Sequence, residues 1–244
     1  MNKRLNEALP VQYYHGVFTI PKELRGLFLY NKKVCLNILF KSVSKTLQQV
    51  TKRNLKMNIG YITILHTWDQ KLNFHLHIHC VIAAGGLSDD KTKWIAIKNK
   101  HYLLPVKKLS KVFRGKFLFY LNKAFNKGLI KIEKNAFINI CSITSKNDWV
   151  VYLQRPLGGA EQVLKYLSRY THKVGISNKR IKSYDGNYVV FSYRDRQDNN
   201  MEKELKIPGL LFVQKFILHI VPRRFVKIRF YGFMVNRFMS FFDY

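Results

Sequence analysis

Three histidines alternate with apolar residues in one short run of the chain. His75, His77 and His79 lie two residues apart, and side chains two apart on a β-strand share one face. Neighbouring imidazoles on a strand can hold one divalent metal ion, with a further ligand from elsewhere. His66 and Gln70, one strand earlier, are the nearest candidates to complete such a site. The apolar residues of the run would point into the core: Leu76, Ile78 and Val81.

The histidine pattern leaves two questions open. A half-buried strand could carry histidine on its polar face without binding a metal. If a metal is bound, the pattern does not select the reaction, because hydrolases, nucleases and lyases all place paired histidines on strands.

A second constellation places two tyrosines four residues apart. Tyr166 and Tyr170 would share one face of a helix, about one turn from each other. A tyrosine hydroxyl, with a pKa of about 10, becomes a nucleophile when it is deprotonated or when a metal polarises its target. The same spacing is typical of an ordinary apolar stripe packed against a core. The adjacent cations would add positive charge for a DNA backbone: Lys165, Arg169 and Lys173.

Periodicity predicts the elements that position these residues. Two β-rich runs, 58–68 and 74–83, flank a polar segment and predict a hairpin that carries the histidines, with Gly85-Gly86 ending its second strand. Apolar residues near a 3.6 period predict a long helix over 33–55 and another over 159–173. Hairpin-joined strands mixed with helices are typical of an α+β domain with a mainly antiparallel sheet. Because no repeat or linker interrupts the chain, we expect a single domain over 1–244.

Composition narrows the class of protein. The 244 residues are 47% hydrophobic and 14% aromatic, which excludes intrinsic disorder. A formal net charge of +29 favours a polyanionic partner, either nucleic acid or an anionic membrane surface. Two segments, 91–132 and 205–242, carry many lysines and arginines, no acidic residue and interleaved aromatics, and they would suit single-stranded DNA. No run is long and apolar enough for a membrane span, and three separated cysteines form no disulfide framework or zinc ribbon.

Four blocks of the sequence occur in an order typical of one family. They are Val11–Pro21, Leu65–Gln70 continuing to His75–Cys80 and Gly85–Ser88, Val163–Asn178 (VLKYLSRYTHKVGISN), and His219–Pro222 with Arg229–Phe233. Together they resemble the rolling-circle, two-tyrosine transposases of the insertion sequence ninety-one type. The His77-Ile78-His79 strand also resembles the histidine–hydrophobe–histidine motif of HUH endonucleases.

This resemblance implies an HUH-endonuclease-like antiparallel sheet with packed helices. It implies that His77 and His79 bind a divalent Mg or Mn ion, with His75 as a further candidate, and that Tyr166 and Tyr170 are the nucleophiles. The implied reaction is metal-dependent nicking of one DNA strand through a 5′-phosphotyrosine, followed by strand transfer during DNA transposition. The implied partner is single-stranded DNA at the element ends, with no membrane and no small-molecule substrate. We expect a cytoplasmic bacterial or archaeal protein acting at the nucleoid.

Three expectations complete this interpretation. Phosphate contacts would come from Lys165, Arg169, Lys173 and Arg180. Compared with the family, the chain looks like a catalytic core truncated at both ends, without the N-terminal zinc-binding domain. Two alternatives remain: a decayed basic DNA-binding remnant that no longer cleaves, and a metal-dependent phosphohydrolase that uses the histidines and water.

Overall fold

A computed structural model of the chain describes residues 9–97, 103–154, 175–195 and 197–235. Its strands are β1 Tyr13–Thr19, β2 Asn58–Trp68, β3 Phe74–Leu87, β4 Trp94–Ala96, β5 Val151–Gln154, β6 Ile181–Tyr184, β7 Tyr188–Asp195, β8 Met201–Pro208 and β9 Ile228–Tyr231. Its helices are α1 Arg25–Tyr30, α2 Lys32–Leu55, α3 Val106–Asn126, α4 Lys134–Lys146 and α5 Gly209–Ile217. The main sheet has the order β5-β1-β3-β2-β9, with β4 on the far end of β3, and a second sheet has the order β6-β7-β8.

All strand pairs in the described residues are antiparallel, and helices pack on the main sheet. The predicted α+β class is therefore confirmed. None of the helices in these parts of the chain is long and apolar enough to cross a membrane.

The β2–β3 hairpin forms as predicted, and its turn is fixed by one carboxylate. Asp69 Oδ1 accepts hydrogen bonds from the backbone N–H of Lys71 at 2.9 Å and of Asn73 at 2.8 Å. Leu72 lies between them in the left-handed region, with φ of 58°. These contacts fix the register of the hairpin, in which His66 lies directly opposite His77.

The second strand of the hairpin is longer than predicted. β3 continues through Gly85 and Gly86 to Leu87, because these residues pair with β4. The glycines permit close packing here instead of ending the strand. A Cβ atom on Gly85 would lie 2.4 Å from the Trp94 ring, and one on Gly86 would lie 2.6 Å from the Asn58 carbonyl oxygen.

One face of the main sheet packs against α2 and α3. Leu39 and Val43 of α2 and Phe113 of α3 belong to the same buried cluster as Leu76 and Ile78 of β3. The predicted long helix, from residue 33 to 55, is confirmed as α2. Leu76 and Ile78 point into this core as predicted.

The prediction that Val81 faces the same core was wrong. The two-residue repeat of the strand puts Val81 on the histidine face, opposite Ile62 of β2. There it packs in a smaller cluster with Tyr13 and Phe233.

The second sheet packs against the hairpin turn. Leu72 is buried in a cluster with Val189, Phe191 and Ile207. A turn at Asp185-Gly186 joins β6 and β7, with Gly186 at φ of 90°. The second sheet therefore holds the end of the hairpin that carries the histidines.

Candidate metal centre

Three imidazoles come together on the face of the main sheet opposite α2 and α3. His77 and His79 project from β3, and His66 projects from β2 opposite His77. One ring nitrogen of each lies within 4.8 Å of one nitrogen of each of the others. The His66 ring centroid lies 4.1 Å from that of His79 and 5.2 Å from that of His77. We call His66, His77 and His79 the triad.

Burial keeps His66 neutral. His66 is 5% exposed, and burial lowers its pKa to about 2, with a smaller contribution from the positive charge of Lys227. A neutral imidazole keeps a lone pair on one nitrogen, which is the form that binds metals. Three imidazoles within this distance are a donor set that fits a divalent metal ion. The triad is therefore the candidate metal centre of the described residues.

A backbone hydrogen bond orients His77. His77 Nδ1 lies 2.9 Å from the carbonyl oxygen of His75, and a carbonyl oxygen can only accept. His77 therefore carries its proton on Nδ1 and has its lone pair on Nε2. Metal-binding histidines typically donate a hydrogen bond from the ring nitrogen that does not bind the metal.

A chain of two hydrogen bonds orients His79. His79 Nδ1 lies 2.7 Å from His15 Nε2, and His15 Nδ1 lies 3.1 Å from Gln154 Oε1. Burial lowers the pKa of His15, so its ring is neutral and carries one proton. That proton is donated to the Gln154 oxygen, so His15 Nε2 accepts from His79 Nδ1–H. His79 Nε2 is left with its lone pair. We call His15 and Gln154 the relay.

Sequence reasoning did not find the relay. His15 lies on β1 and Gln154 on β5, two strands that are adjacent only in the folded sheet. The signal that could have found His15 is its place in Val11–Pro21, one of the four sequence blocks. No local signal pointed to Gln154, because its position opposite His15 depends on the strand order.

His75 and Gln70, both predicted as further ligands, have other contacts. The His75 ring lies 5.0 Å from the His77 ring and is not a member of the close triad. The backbone carbonyl oxygen of Gln70 accepts from the Arg180 guanidinium, and its side-chain oxygen lies 3.5 Å from the backbone N of Arg194. These contacts tie the hairpin turn to the second sheet. Metal ligation by either residue remains a prediction.

Arg180, predicted to contact phosphate, is half-buried and hydrogen-bonded to backbone carbonyl oxygens. Its Nε donates to the Ser192 carbonyl oxygen at 2.7 Å, and its guanidinium lies 5.9 Å from the centre of the Phe191 ring. Burial lowers the pKa of this guanidinium. The other predicted functional residues lie outside the described residues: Tyr166, Tyr170, Lys165, Arg169 and Lys173.

A profile of the family described as "Putative transposase" matches residues 60–240. The chain belongs to this transposase family. It is 38% identical over 248 residues to the "Putative transposase y4qJ" of Sinorhizobium fredii (strain NBRC 101917 / NGR234), a match that covers 98% of this chain and 62% of that protein. It is 29% identical to the "Transposase for insertion sequence element IS801" of Pseudomonas savastanoi pv. phaseolicola, covering 95% of this chain and 57% of that protein. The transposase chain thus spans about three-fifths of the length of these relatives.

Among solved structures, the transposase chain is similar to the conjugative relaxase TrwC in complex with OriT DNA. A metal-free complex matches with a TM-score of 0.37 and 14% identity, covering 52% of this chain and 64% of that chain. A complex with a 27-mer DNA matches with a TM-score of 0.36 and 16% identity, covering 68% and 61%. The membership of a transposase family that the sequence predicts is confirmed.

Removing the relay acceptor is expected to weaken metal binding by this transposase. Gln154→Leu takes away the oxygen that receives the His15 proton, so His79 loses its fixed orientation. We expect the Kd for Mn²⁺, measured by calorimetry, to rise about 10-fold to 100-fold. Gln154→Glu, which keeps an oxygen acceptor, should retain tight binding. An unchanged Kd in Gln154→Leu would show that the relay contributes nothing.

Proposed function

We propose that this chain is the catalytic core of an HUH-type transposase that nicks one DNA strand and transfers it. The observation that carries the proposal is the triad of imidazoles on two adjacent inner strands, in a chain of the transposase family. The substrate in this proposal is single-stranded DNA at the ends of a mobile element. The protein would act in the cytoplasm, at the nucleoid.

In this proposal His66, His77 and His79 hold the metal. When bound, the ion supplies positive charge that polarises the scissile phosphate. Imidazole ligands suit Mn²⁺ better than Mg²⁺, because Mg²⁺ prefers oxygen ligands in a near-ideal octahedron. We therefore propose Mn²⁺ as the ion that gives the higher activity in vitro, with Mg²⁺ also able to serve.

The chain's own nucleophiles in this proposal are Tyr166 and Tyr170. The phenolic oxygen of one tyrosine forms a bond to the scissile phosphorus, and the bond from phosphorus to the 3′ oxygen breaks. The phenol loses its proton to solvent, and the departing 3′ oxygen gains one, so the products are a 5′-phosphotyrosine and a free 3′-hydroxyl. The second tyrosine permits a second cleavage and strand transfer without hydrolysis, since the phosphodiester energy is kept in the covalent bond.

Phosphates would be bound near the tyrosines by Lys165, Arg169 and Lys173, which lie in the same sequence block. Arg180 is a weaker candidate than these three, because a phosphate would compete with the backbone carbonyls that its guanidinium already contacts.

The decisive experiment looks for the covalent intermediate. Purified protein is incubated with a labelled single-stranded DNA pool and Mn²⁺, then boiled in detergent. We expect a protein–DNA adduct in the wild type, in reduced amount in Tyr166→Phe or Tyr170→Phe, and none in the double variant. The matched control is Tyr184→Phe, an exposed tyrosine on the second sheet.

Two outcomes would contradict the proposal. DNA binding without an adduct under any metal would favour the decayed DNA-binding remnant. Cleavage that survives the double tyrosine variant would favour the phosphohydrolase with a metal-activated water.

A further inference from the structure

α2 and α3 form one surface on the reverse side of the metal centre. Their apolar sides pack on the sheet face to which Ile78 points, whereas the triad lies on the other face. The helices run antiparallel, since Lys41 of α2 lies 4.5 Å from the Tyr120 ring and Lys108 donates to Asn54 at 2.9 Å. Their outward sides are therefore continuous with each other and separate from the triad.

This surface is strongly positive. Each of the two helices carries six lysines and arginines and no acidic residue. Nine of these twelve are exposed, and we call them the back surface: Lys33, Lys41, Lys45, Lys52, Arg53, Lys107, Lys108, Lys111 and Lys123. In the described parts of the chain, ion pairs of the two helices are formed by Lys52 with Asp89 at 3.5 Å and by Arg114 with Asp148 at 3.6 Å. Most of this charge is not compensated by the protein.

The location of this charge differs from the sequence-based expectation. The sequence predicts that the basic segment 91–132, like 205–242, suits single-stranded DNA. Its helical part, α3, instead lies behind the sheet that carries the triad. A DNA strand bound at the metal centre therefore does not reach the back surface. Any polyanion bound there is a different segment.

The dimensions and residue types of the back surface fit a DNA duplex. From Lys33 to Arg53, α2 rises about 30 Å, a length over which duplex DNA carries roughly 17 phosphate charges. All but one of the nine cations are lysines. Lysine binds phosphate as a point charge and lacks the planar guanidinium with which arginine recognises bases. A single strand would instead need a row of aromatic platforms. On the outward sides of the two helices Phe119 is the exposed aromatic, at 62%.

We propose that the back surface binds the phosphate backbone of duplex DNA, on a segment separate from the strand at the metal centre. This inference goes beyond the proposed nicking reaction and does not require it. It gives the chain two DNA sites on opposite faces of one sheet, one for chemistry and one for anchoring.

The test compares two variants of equal charge. The first replaces four lysines of the back surface by glutamine: Lys33, Lys45, Lys111 and Lys123. The control replaces four exposed lysines around the second sheet: Lys71, Lys179, Lys182 and Lys206. Both lower the formal net charge from +29 by four, to +25. Binding of a labelled duplex of about 20 base pairs, which is longer than the surface, is followed by fluorescence anisotropy across a salt series.

In the back-surface variant, the slope of log K against log salt should become shallower by about 3 to 4, and affinity at moderate salt should fall at least about tenfold. The control variant should keep the slope within about one of the wild type. Adduct formation on a short single-stranded oligonucleotide should be unchanged in the back-surface variant. This second readout separates failure of the surface from failure of the nicking chemistry.

Three results would overturn the inference. One is an equal loss in both variants, which would mean that duplex binding follows total charge and not location. Another is wild-type duplex binding by the back-surface variant, with circular dichroism confirming that it is folded. The third is an affinity for single strands or for phosphatidylserine vesicles that falls more in the back-surface variant than its affinity for the duplex does.

Discussion

Replacing His66 by alanine is expected to abolish divalent-metal binding and adduct formation. His66 is the only triad member on β2, so its loss leaves two imidazoles on one strand with no ligand from the neighbouring strand. Removal of a direct ligand should cost more than the roughly 10-fold to 100-fold that is typical of an outer hydrogen-bond partner. Adduct formation should fall to background even at millimolar Mn²⁺.

Metal binding by the variant can be read without any activity assay. A ligand at a concentration about 100 times its Kd stabilises the folded state by about 2.7 kcal/mol, so Mn²⁺ should raise the unfolding temperature of the wild type. It should leave that of His66→Ala unchanged. His75→Ala is the matched control, because it removes a histidine from the same face and keeps the carbonyl oxygen that orients His77. If His75→Ala loses the metal response and His66→Ala retains it, the triad is wrongly assigned.

Alanine at Gly232 is expected to destabilise the fold strongly. Gly232 follows β9 with φ of 63°, where a side chain costs about 1 to 2 kcal/mol. Its Cβ atom would also lie 2.0 Å from the carbonyl oxygen of Ile59, an overlap that forces β9 and β2 apart. Together these effects should lower the free energy of unfolding by about 2 to 5 kcal/mol.

Thermal unfolding measures the destabilisation at Gly232, and a glycine in an open helical position serves as the control. For a chain of this size, the loss at Gly232 corresponds to a decrease of roughly 5 to 15 °C. Gly115 lies within α3, where an added Cβ meets nothing within 4 Å. Gly115→Ala should therefore raise stability by about 0.5 to 1 kcal/mol. Equal unfolding temperatures for Gly232→Ala and the wild type would contradict the close approach of β9 to β2.

Local sequence patterns are sufficient to predict the β2–β3 hairpin and the helix α2. The alternation from Phe74 to Cys80 and the polar turn at Asp69 are sufficient to place the hairpin, because strand periodicity and turn chemistry act over a few residues. The length of α2 follows in the same way from its apolar repeat. β3 exceeds its predicted end because Gly85 makes room for Trp94, a partner that lies outside the pattern.

The candidate site could be predicted only in part. Two-residue spacing groups His75, His77 and His79, and the resemblance to the transposase family singles out His77 and His79. Proximity in sequence makes His66 and Gln70 equal candidates to complete the site. The choice between them depends on the register across the hairpin, which puts His66 opposite His77. The relay depends on the strand order β5-β1-β3, which brings together strands that are far apart in the sequence. No local pattern encodes this order.

Position in the sheet also determines how easily each part of the metal centre can open. β2 and β3 are each hydrogen-bonded on both sides, so local opening at the triad requires breaking two ladders at once. Gln154 is the last residue of β5, a four-residue strand at the end of the sheet order. Edge strands open at lower free energy than inner strands, so amide hydrogen exchange should be slow at the triad and faster at β5. Brief fraying of β5 would release His15 and loosen His79 while the triad strands stay closed, so a metal bound as proposed could leave without unfolding of the protein.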